Sequence, residues 1–205
     1  MKIKVPFYKS SKDTDCGPLA LKMALAYLGK KYSFKNISKE EKQINTGLVW
    51  SAGIVKASVH FGFPTKFFSK TNFNPEEKDI DYYKKYSHDK AKIVLRQLID
   101  EIRKKGIEIQ ERDMLLEELL SYVSKDSIPI VLINWCVISG KEGFNGHFLP
   151  ITGYDKINVY VHNPGITSAQ AYLPIKRDIF VKAWESKGTD KDTIVIYRKL
   201  NARNV

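Results

Sequence analysis

Apolar residues recur in two different periods along this chain, and the change from one to the other divides it. Up to Val123 they fall mostly at helical spacing, and from Ile128 they run together or alternate as strands do. The most apolar stretch at helical length is DCGPLALKMALAYLG, Asp15 to Gly29, in which Lys22 is the sole charged side chain between the ends. Asp15 reads as its N-cap, Pro18 falls in the first turn where its missing N–H costs nothing, and Gly29 followed by two lysines reads as its stop. A helix apolar nearly all round belongs in a core.

The other elements follow from the same pattern. Lys2 to Tyr8 reads as a short strand. Ser38 and Glu41 form a capping-box pattern that opens a short helix, and Leu48 to Phe61 reads as a helix ended by Gly62 and Pro64. Thr65 to Ser69 reads as a strand, and Ala91 to Lys105 and Arg112 to Val123 as amphipathic helices. Strands are then expected at Ile128–Ile138, His147–Tyr154, Ile157–Asn163, Ala171–Pro174 and Thr193–Lys199, with a short helix at Arg177–Ser186. Helices first and an antiparallel sheet second is an α+β pattern. At 205 residues the expectation is a single domain, 1–205, with a polar excursion at about 70–112. Tyr82, Tyr83 and Tyr86 sit in the most polar part of that excursion, which reads as surface decoration or a flap over a site.

Composition narrows the function. A formal charge of +11, from 34 basic and 23 acidic residues, raises the question of a polyanionic partner. The excess is scattered lysine, without zinc-finger spacing, a glycine-rich phosphate loop or a basic run interleaved with aromatics, so no specific nucleic-acid partner is expected. Ile128 to Gly140, the longest uncharged apolar stretch, is too short to span a bilayer, and no signal-peptide pattern opens the chain. A cytoplasmic protein is expected. No metal-ligand spacing links the four histidines and two cysteines, so neither metal nor cofactor is expected. The oligomeric state is not set by the sequence.

The two cysteines read differently. Cys136 lies in IPIVLINWCVI and is expected to be structural, inside a strand. Cys16 starts the apolar helix, where free N–H groups and the positive end of the dipole favour a thiolate, so a lowered pKa is expected. A nucleophilic thiol needs a base and a group that orients the base. Of the four histidines, His60 lies in an apolar helical context, His88 in the polar excursion, and His162 on the opposite strand face from Asn163. His147, which opens a strand after Asn145-Gly146, is the candidate base. A three-residue loop between His147–Gly153 and Ile157–Asn163 places Gly153 opposite Ile157, Ile151 opposite Val159 and His147 opposite Asn163. Asn163 is then the orienting group, and the other face, from Phe148 to His162, is expected to be partly exposed.

VPFYKSSKDTDCGPLALKMAL, GHFLPITGYD and VYVHNPG together resemble the papain-fold cysteine peptidases related to the bacteriocin-processing, double-glycine leader peptidases. The resemblance covers Val5–Phe61 and Leu119–Lys199. His147 and Asn163 follow Cys16 by 131 and 147 positions, against ~130–150 in papain-like enzymes. It implies a papain-like fold, with Cys16 as nucleophile, His147 as general base and acid, and Asn163 where these relatives usually carry aspartate and papain asparagine. The implied reaction is hydrolysis of a peptide or amide bond in a peptide or protein substrate through an acyl-thioester. Acyl or aminoacyl transfer by the same thiol, and a catalytically silent peptide-binding member, are the alternatives. Such enzymes carry an oxyanion glutamine about six residues before the cysteine. Here Ser10 stands there, followed by Ser11, so these serines are the candidate donors and slow turnover is expected.

Overall fold

The structure is a computed structural model that describes residues 1–12, 14–41, 48–71 and 89–199. In chain order its elements are α1 (Cys16–Tyr27), α2 (Phe34–Glu40), α3 (Ser51–His60), β1 (Thr65–Ser69), α4 (Asp89–Lys104), β2 (Ile109–Glu111), α5 (Leu116–Ser121) and β3 (Ser127–Asn134). Then come α6 (Trp135–Ser139), β4 (Gly146–Tyr154), β5 (Asn158–Asn163), β6 (Gln170–Lys176), α7 (Arg177–Trp184) and β7 (Thr193–Tyr197). The described strands form one sheet in the order β2-β1-β7-β3-β4-β5-β6, antiparallel except for the β1–β2 pair at its edge. The α+β architecture expected from the element order is the observed one.

α1 packs on β3 and β4 with Leu19, Ala20, Leu21, Met23, Ala24 and Leu25 buried, so its start is fixed against the centre of the sheet. Its far end stops where Gly29 takes φ +102°, a conformation glycine adopts without a Cβ penalty, and Lys30 N–H reaches back to the Leu25 carbonyl at 3.0 Å. The Arg198 guanidinium then donates to the leftover carbonyls of Leu28 (3.1 Å) and Tyr27 (3.4 Å), tying the last strand's exit to the central helix.

Several elements depart from the pattern reading. The segment from Lys2 makes a single bridge with Gly153 and one Ile3 N–H bond to the Thr152 carbonyl (2.9 Å) rather than a strand; Pro6, which has no N–H to donate, follows at once. α2 starts at Phe34 because Ser33, not Ser38, caps it, accepting from Asn36 N–H at 3.2 Å. Residues 109–111, inside the expected excursion, pair as β2, and the helix expected from Arg112 begins at Leu116. Tyr82, Tyr83, Tyr86 and His88 lie outside the described residues. No described helix is long and apolar enough to cross a membrane.

The strand expected to run to Ile138 ends at Asn134. Asn134 turns the chain, its side-chain oxygen accepting from Cys136 N–H and Asn145 N–H, both at 3.0 Å, while its amide donates to the Gly143 carbonyl (3.0 Å). Cys136 therefore sits on the one-and-a-half-turn helix α6 as a half-buried thiol, not in a strand core. On the face of β4 and β5 expected to be partly exposed, Asn158 and Tyr160 are so, while Phe148, Thr152 and His162 are buried. The N-terminal segment covers His162, with the Phe7 ring edge-on to it at 5.3 Å. His162 Nε2–H donates to the Val5 carbonyl (3.0 Å) and Nδ1 accepts Tyr172 N–H (3.0 Å), a pair of bonds that fits only the neutral ring. Burial lowers its pKa. The unfolded chain then binds a proton that the fold refuses, so stability is lost as pH falls from ~6.5. His162→Gln, which can keep one donor and one acceptor, is expected to flatten this acid limb in denaturation curves between pH 7 and 5.

Candidate active site

Cys16 is the first residue of α1, held between the turn before it and β4. Asp15 does not cap the helix with its side chain; its carboxylate instead accepts from Ser10 Oγ (3.3 Å) and weakly from Ser11 Oγ (3.5 Å). The single Ser10 O–H proton is shared between that carboxylate and the Lys12 carbonyl, and Ser10 N–H bonds the Pro164 carbonyl at 2.8 Å, fastening this turn to the residue after Asn163. Both serine hydroxyls are thus engaged within the turn in the resting structure. The first N–H groups of the helix are left to the sulfur.

The backbone N–H groups of Phe148, Gly17 and Cys16 itself favour the charged form of the thiol. Burial outweighs them and raises its pKa, with the neighbouring Asp15 charge adding to the rise. This corrects the lowered pKa expected from the helix terminus: desolvation against the sheet is the larger effect. Alkylation of Cys16 by iodoacetamide is accordingly expected to rise only above the free-thiol value of ~8.5. Both cysteines are half-buried, so peptide mapping of the Cys16 label across pH 6 to 10 checks this directly.

Phe148 links Cys16 to the histidine, because it follows His147 on β4. His147 is 9% exposed, and its Nε2 stands 2.8 Å from Asn163 Oδ1. The orientation of the Asn163 amide is fixed by its other bonds: Oδ1 accepts Gly165 N–H (3.0 Å), and Nδ2 donates to the Ser168 carbonyl (2.7 Å) and Oγ (3.1 Å). An oxygen acceptor at Asn163 requires the proton on Nε2, which leaves Nδ1 as the basic nitrogen. The Trp135 indole, whose ring centre is 5.2 Å away and edge-on, packs against the imidazole. The pattern reading pointed to neither Trp135 nor Ser168, since nothing in the spacing distinguishes them from their neighbours.

The His147–Asn163 pair forms although the register differs from the one expected. Gly153 faces Tyr160 rather than Ile157, a slip of three residues; a bulge at Thr152 takes one back, so that Ile151 faces Val161 rather than Val159. The net slip of two is even, which keeps Asn163 on the face of His147 and makes the pair a diagonal one, within reach of an imidazole. The turn is set by Asp155, whose carboxylate accepts Ile157 N–H (2.8 Å), Asn158 N–H (2.7 Å) and Tyr160 O–H (2.6 Å). These bonds, Tyr160's first, bring its pKa down to about 2.

The same bonds show why an amide suits position 163. Asn163→Asp places a carboxylate oxygen against the Ser168 carbonyl where a donor stood. A loss of about 1–3 kcal/mol in urea denaturation is expected, the cost of one buried acceptor left without a donor.

Residues 5–196 match the model of a protein family described as guanylylate cyclase. No curated protein matches the sequence. Among solved structures, the fold is similar to the peptidase domain of Streptococcus ComA, a bi-functional ABC transporter involved in quorum sensing, with 14% identity, 96% of this chain and 100% of that one covered, and a TM-score of 0.56. It is similar to a double glycine motif protease from an AMS/PCAT transporter, solved in complex with the leader peptide, with 14% identity, coverage of 97% and 94%, and a TM-score of 0.55. It is also similar to a C39-like peptidase from Bacillus anthracis, with 15% identity, coverage of 98% and 100%, and a TM-score of 0.60. The fold is therefore the papain-like fold of C39 peptidase domains, as the resemblance implied.

Proposed function

This chain belongs to the guanylylate cyclase family, and from a family member built on a cysteine-peptidase fold we propose thiol hydrolysis of a peptide or amide bond by Cys16, His147 and Asn163. One observation carries the reading: α1, which Cys16 opens, packs on β4, the strand that carries His147, and Asn163 holds that imidazole through Nε2. The thiol proton passes to His147 Nδ1 as the sulfur attacks the carbonyl carbon. His147 then gives that proton to the leaving amine, and an acyl-thioester remains on Cys16. Water adds to the thioester with His147 again taking a proton, and collapse frees the acid and returns the thiol.

The oxyanion formed at each addition needs donors at ~2.7–3.1 Å. The Cys16 and Gly17 N–H groups are the nearest. Ser10 or Ser11 would join them only by leaving Asp15 and the Lys12 carbonyl, which favours slow turnover. Transfer of the acyl group to an amine, or peptide binding without turnover, would use the same residues. A peptide is the partner proposed here, a reading supported by the double glycine motif protease of similar fold that was solved with a leader peptide. We place this chemistry in the cytoplasm, where both thiols stay reduced.

The family's description favours a second reading, cyclisation of a guanine nucleotide. The discriminating assay is one preparation offered a peptide library and GTP in parallel. Peptide cleavage abolished by Cys16→Ala supports hydrolysis; cyclic nucleotide formed equally by wild type and Cys16→Ala supports cyclisation.

A further inference from the structure

One imidazole takes no part in the hydrolysis proposed above, although it adjoins the orienting asparagine. His162 precedes Asn163 on β5, lies on the opposite face of the strand and is wholly buried. The β5–β6 ladder is irregular at this point: Val161 faces Leu173 and Asn163 faces Gln170, so one residue of β5 is set against two of β6, Ala171 and Tyr172. The bulge takes the Tyr172 N–H out of the ladder, and His162 Nδ1 accepts it at 3.0 Å. Tyr172 sits there at φ +53°, in the left-handed region that a bulky side chain enters only when its surroundings hold it. Its ring stands edge-on to the imidazole with centroids 4.6 Å apart, and its hydroxyl reaches the Ile3 carbonyl at 3.4 Å.

The segment held in this way is the one that orients Asn163. Asn163 pairs with Gln170, two residues before Tyr172, and its Nδ2 donates to the carbonyl and hydroxyl of Ser168, two residues earlier still. The contact is tight: a Cβ on Gly165 would stand 3.1 Å from Asn163 Oδ1 and 3.3 Å from Ser168 Oγ. On the other side of the ring, Nε2–H donates to the Val5 carbonyl at 3.0 Å. Among the described residues no charged group is bonded to the imidazole. From the N-terminal segment, Lys4 is exposed and Lys2 lies over the Tyr160 ring at 3.6 Å, and from α1 Lys22 lies over the Tyr8 ring at 4.3 Å. On β5 the Tyr160 hydroxyl is turned to Asp155 (2.6 Å), and on β6 the titratable group facing the ring is the Tyr172 hydroxyl. β4 offers Thr152, bonded to the Tyr160 carbonyl (3.1 Å), while its His147 is on the far face with Asn163.

We propose that His162 is a positioning residue for the catalytic pair: as an uncharged ring it holds the segment from Ser168 to Tyr172 against Asn163, and on taking up a proton it lets that segment go. The proposal rests on the reading of His147 and Asn163 as that pair. The proton comes from solvent and adds to Nδ1, where it meets the Tyr172 N–H, so that two donors face each other. Nε2–H is a donor in both states and keeps its bond to Val5. The loosening is therefore one-sided: it falls on Ser168 to Tyr172 and on the Asn163 amide, and the N-terminal segment stays bound. The left-handed Tyr172 adds to it, because the bond that held that conformation is gone. The sign is that of a group the fold keeps neutral. The opened segment binds a proton that the closed one does not, so opening becomes easier as pH falls below ~6.5.

Hydrogen exchange read by NMR tests this without requiring turnover. After correction for the intrinsic pH dependence of exchange, protection of the Tyr172 N–H and of the Asn163 side-chain amide is expected to fall in wild type by up to about tenfold for each pH unit below ~6.5, one proton being taken up on opening. In His162→Gln, which keeps a donor for Val5 and an acceptor for Tyr172 without a titrating group, protection should stay level. His147→Ala should show the wild-type fall at Tyr172, which separates the two imidazoles. Level protection in wild type, or the same fall in His162→Gln, overturns the proposal. Nitrogen NMR of the wild-type ring is a second test that needs no variant: a His162 ring protonated at Nε2 alone is expected at neutral pH, and a proton on Nδ1 there overturns the proposal. Absence of peptide turnover at every pH alongside the expected exchange profiles would count against the hydrolase reading and leave the hold of His162 on Asn163 standing.

Discussion

His147→Ala is expected to lower peptide turnover by about 100- to 10,000-fold, the range that a positioned general acid–base contributes. The residue enters twice, taking the thiol proton and delivering it to the leaving amine, so the effect should lie toward the upper end and fall on kcat more than on KM. His147 is nearly buried between Trp135 and Asn163, and its removal leaves a small gap facing the Asn163 oxygen, which keeps its Gly165 N–H bond. The fold should therefore survive. Circular dichroism and a urea midpoint within reach of wild type would separate lost chemistry from lost structure. Turnover reduced less than tenfold in a folded His147→Ala protein would remove the imidazole from the mechanism.

Glu41→Gln is expected to stabilise the protein, an unusual result for a change at a wholly buried position. The sign follows from linkage. A carboxyl whose pKa is raised by folding binds more protons in the native than in the unfolded state, so stability falls as pH rises past the free-glutamate value of ~4.3. The fall continues until the folded pKa is reached. Glutamine has nearly the same shape and no such proton, so the variant should gain about 1.4 kcal/mol over wild type for each pH unit in that window. Below pH 4 the two should be alike apart from hydrogen bonding by the amide. Thermal midpoints at pH 4, 6 and 8 measure the gap. A gap that does not widen with pH would mean that Glu41 is ionised in the fold with a partner.

Much of this site is legible in the sequence because it rests on local rules. The cysteine helix is announced by an apolar run, a first-turn proline and a stopping glycine, and the histidine and asparagine by strand alternation. The register shows how such rules succeed for the wrong detail. Asp155, rather than the expected loop length, sets the turn, and the bulge at Thr152 restores the face, so the pair survives a slip that no local pattern reveals. Cys136 was misread because an apolar, β-branched run continues past Asn134, while the side-chain bonds that end the strand reach forward to Gly143 and Asn145. The thiol's pKa was misread because the helix terminus is local and the burial is tertiary.

Glu41 is the clearest limit. Glu40 and Glu41 are neighbours in a charged run, yet one pairs with Lys56 and His60 near the surface and the other has neither carboxyl oxygen bonded among the described residues. The phase of α2 decides between them, and that phase starts from Ser33. A capping box read at Ser38 makes Glu41 a solvated first-turn acid. Only the packing of α2 against α1 and α3 makes it a buried one.

The central claim is that the Cys16 sulfur becomes acylated by its substrate. Intact-mass spectrometry of an acid-quenched reaction with a cleavable peptide, followed by peptide mapping, tests it most directly. The account predicts an added acyl fragment on Cys16, absent from Cys136 and from the Cys16→Ala protein, and accumulating in His147→Gln if deacylation is slowed more than attack. Peptide cleaved at an unchanged rate by Cys16→Ala, with no adduct on wild type, would contradict it.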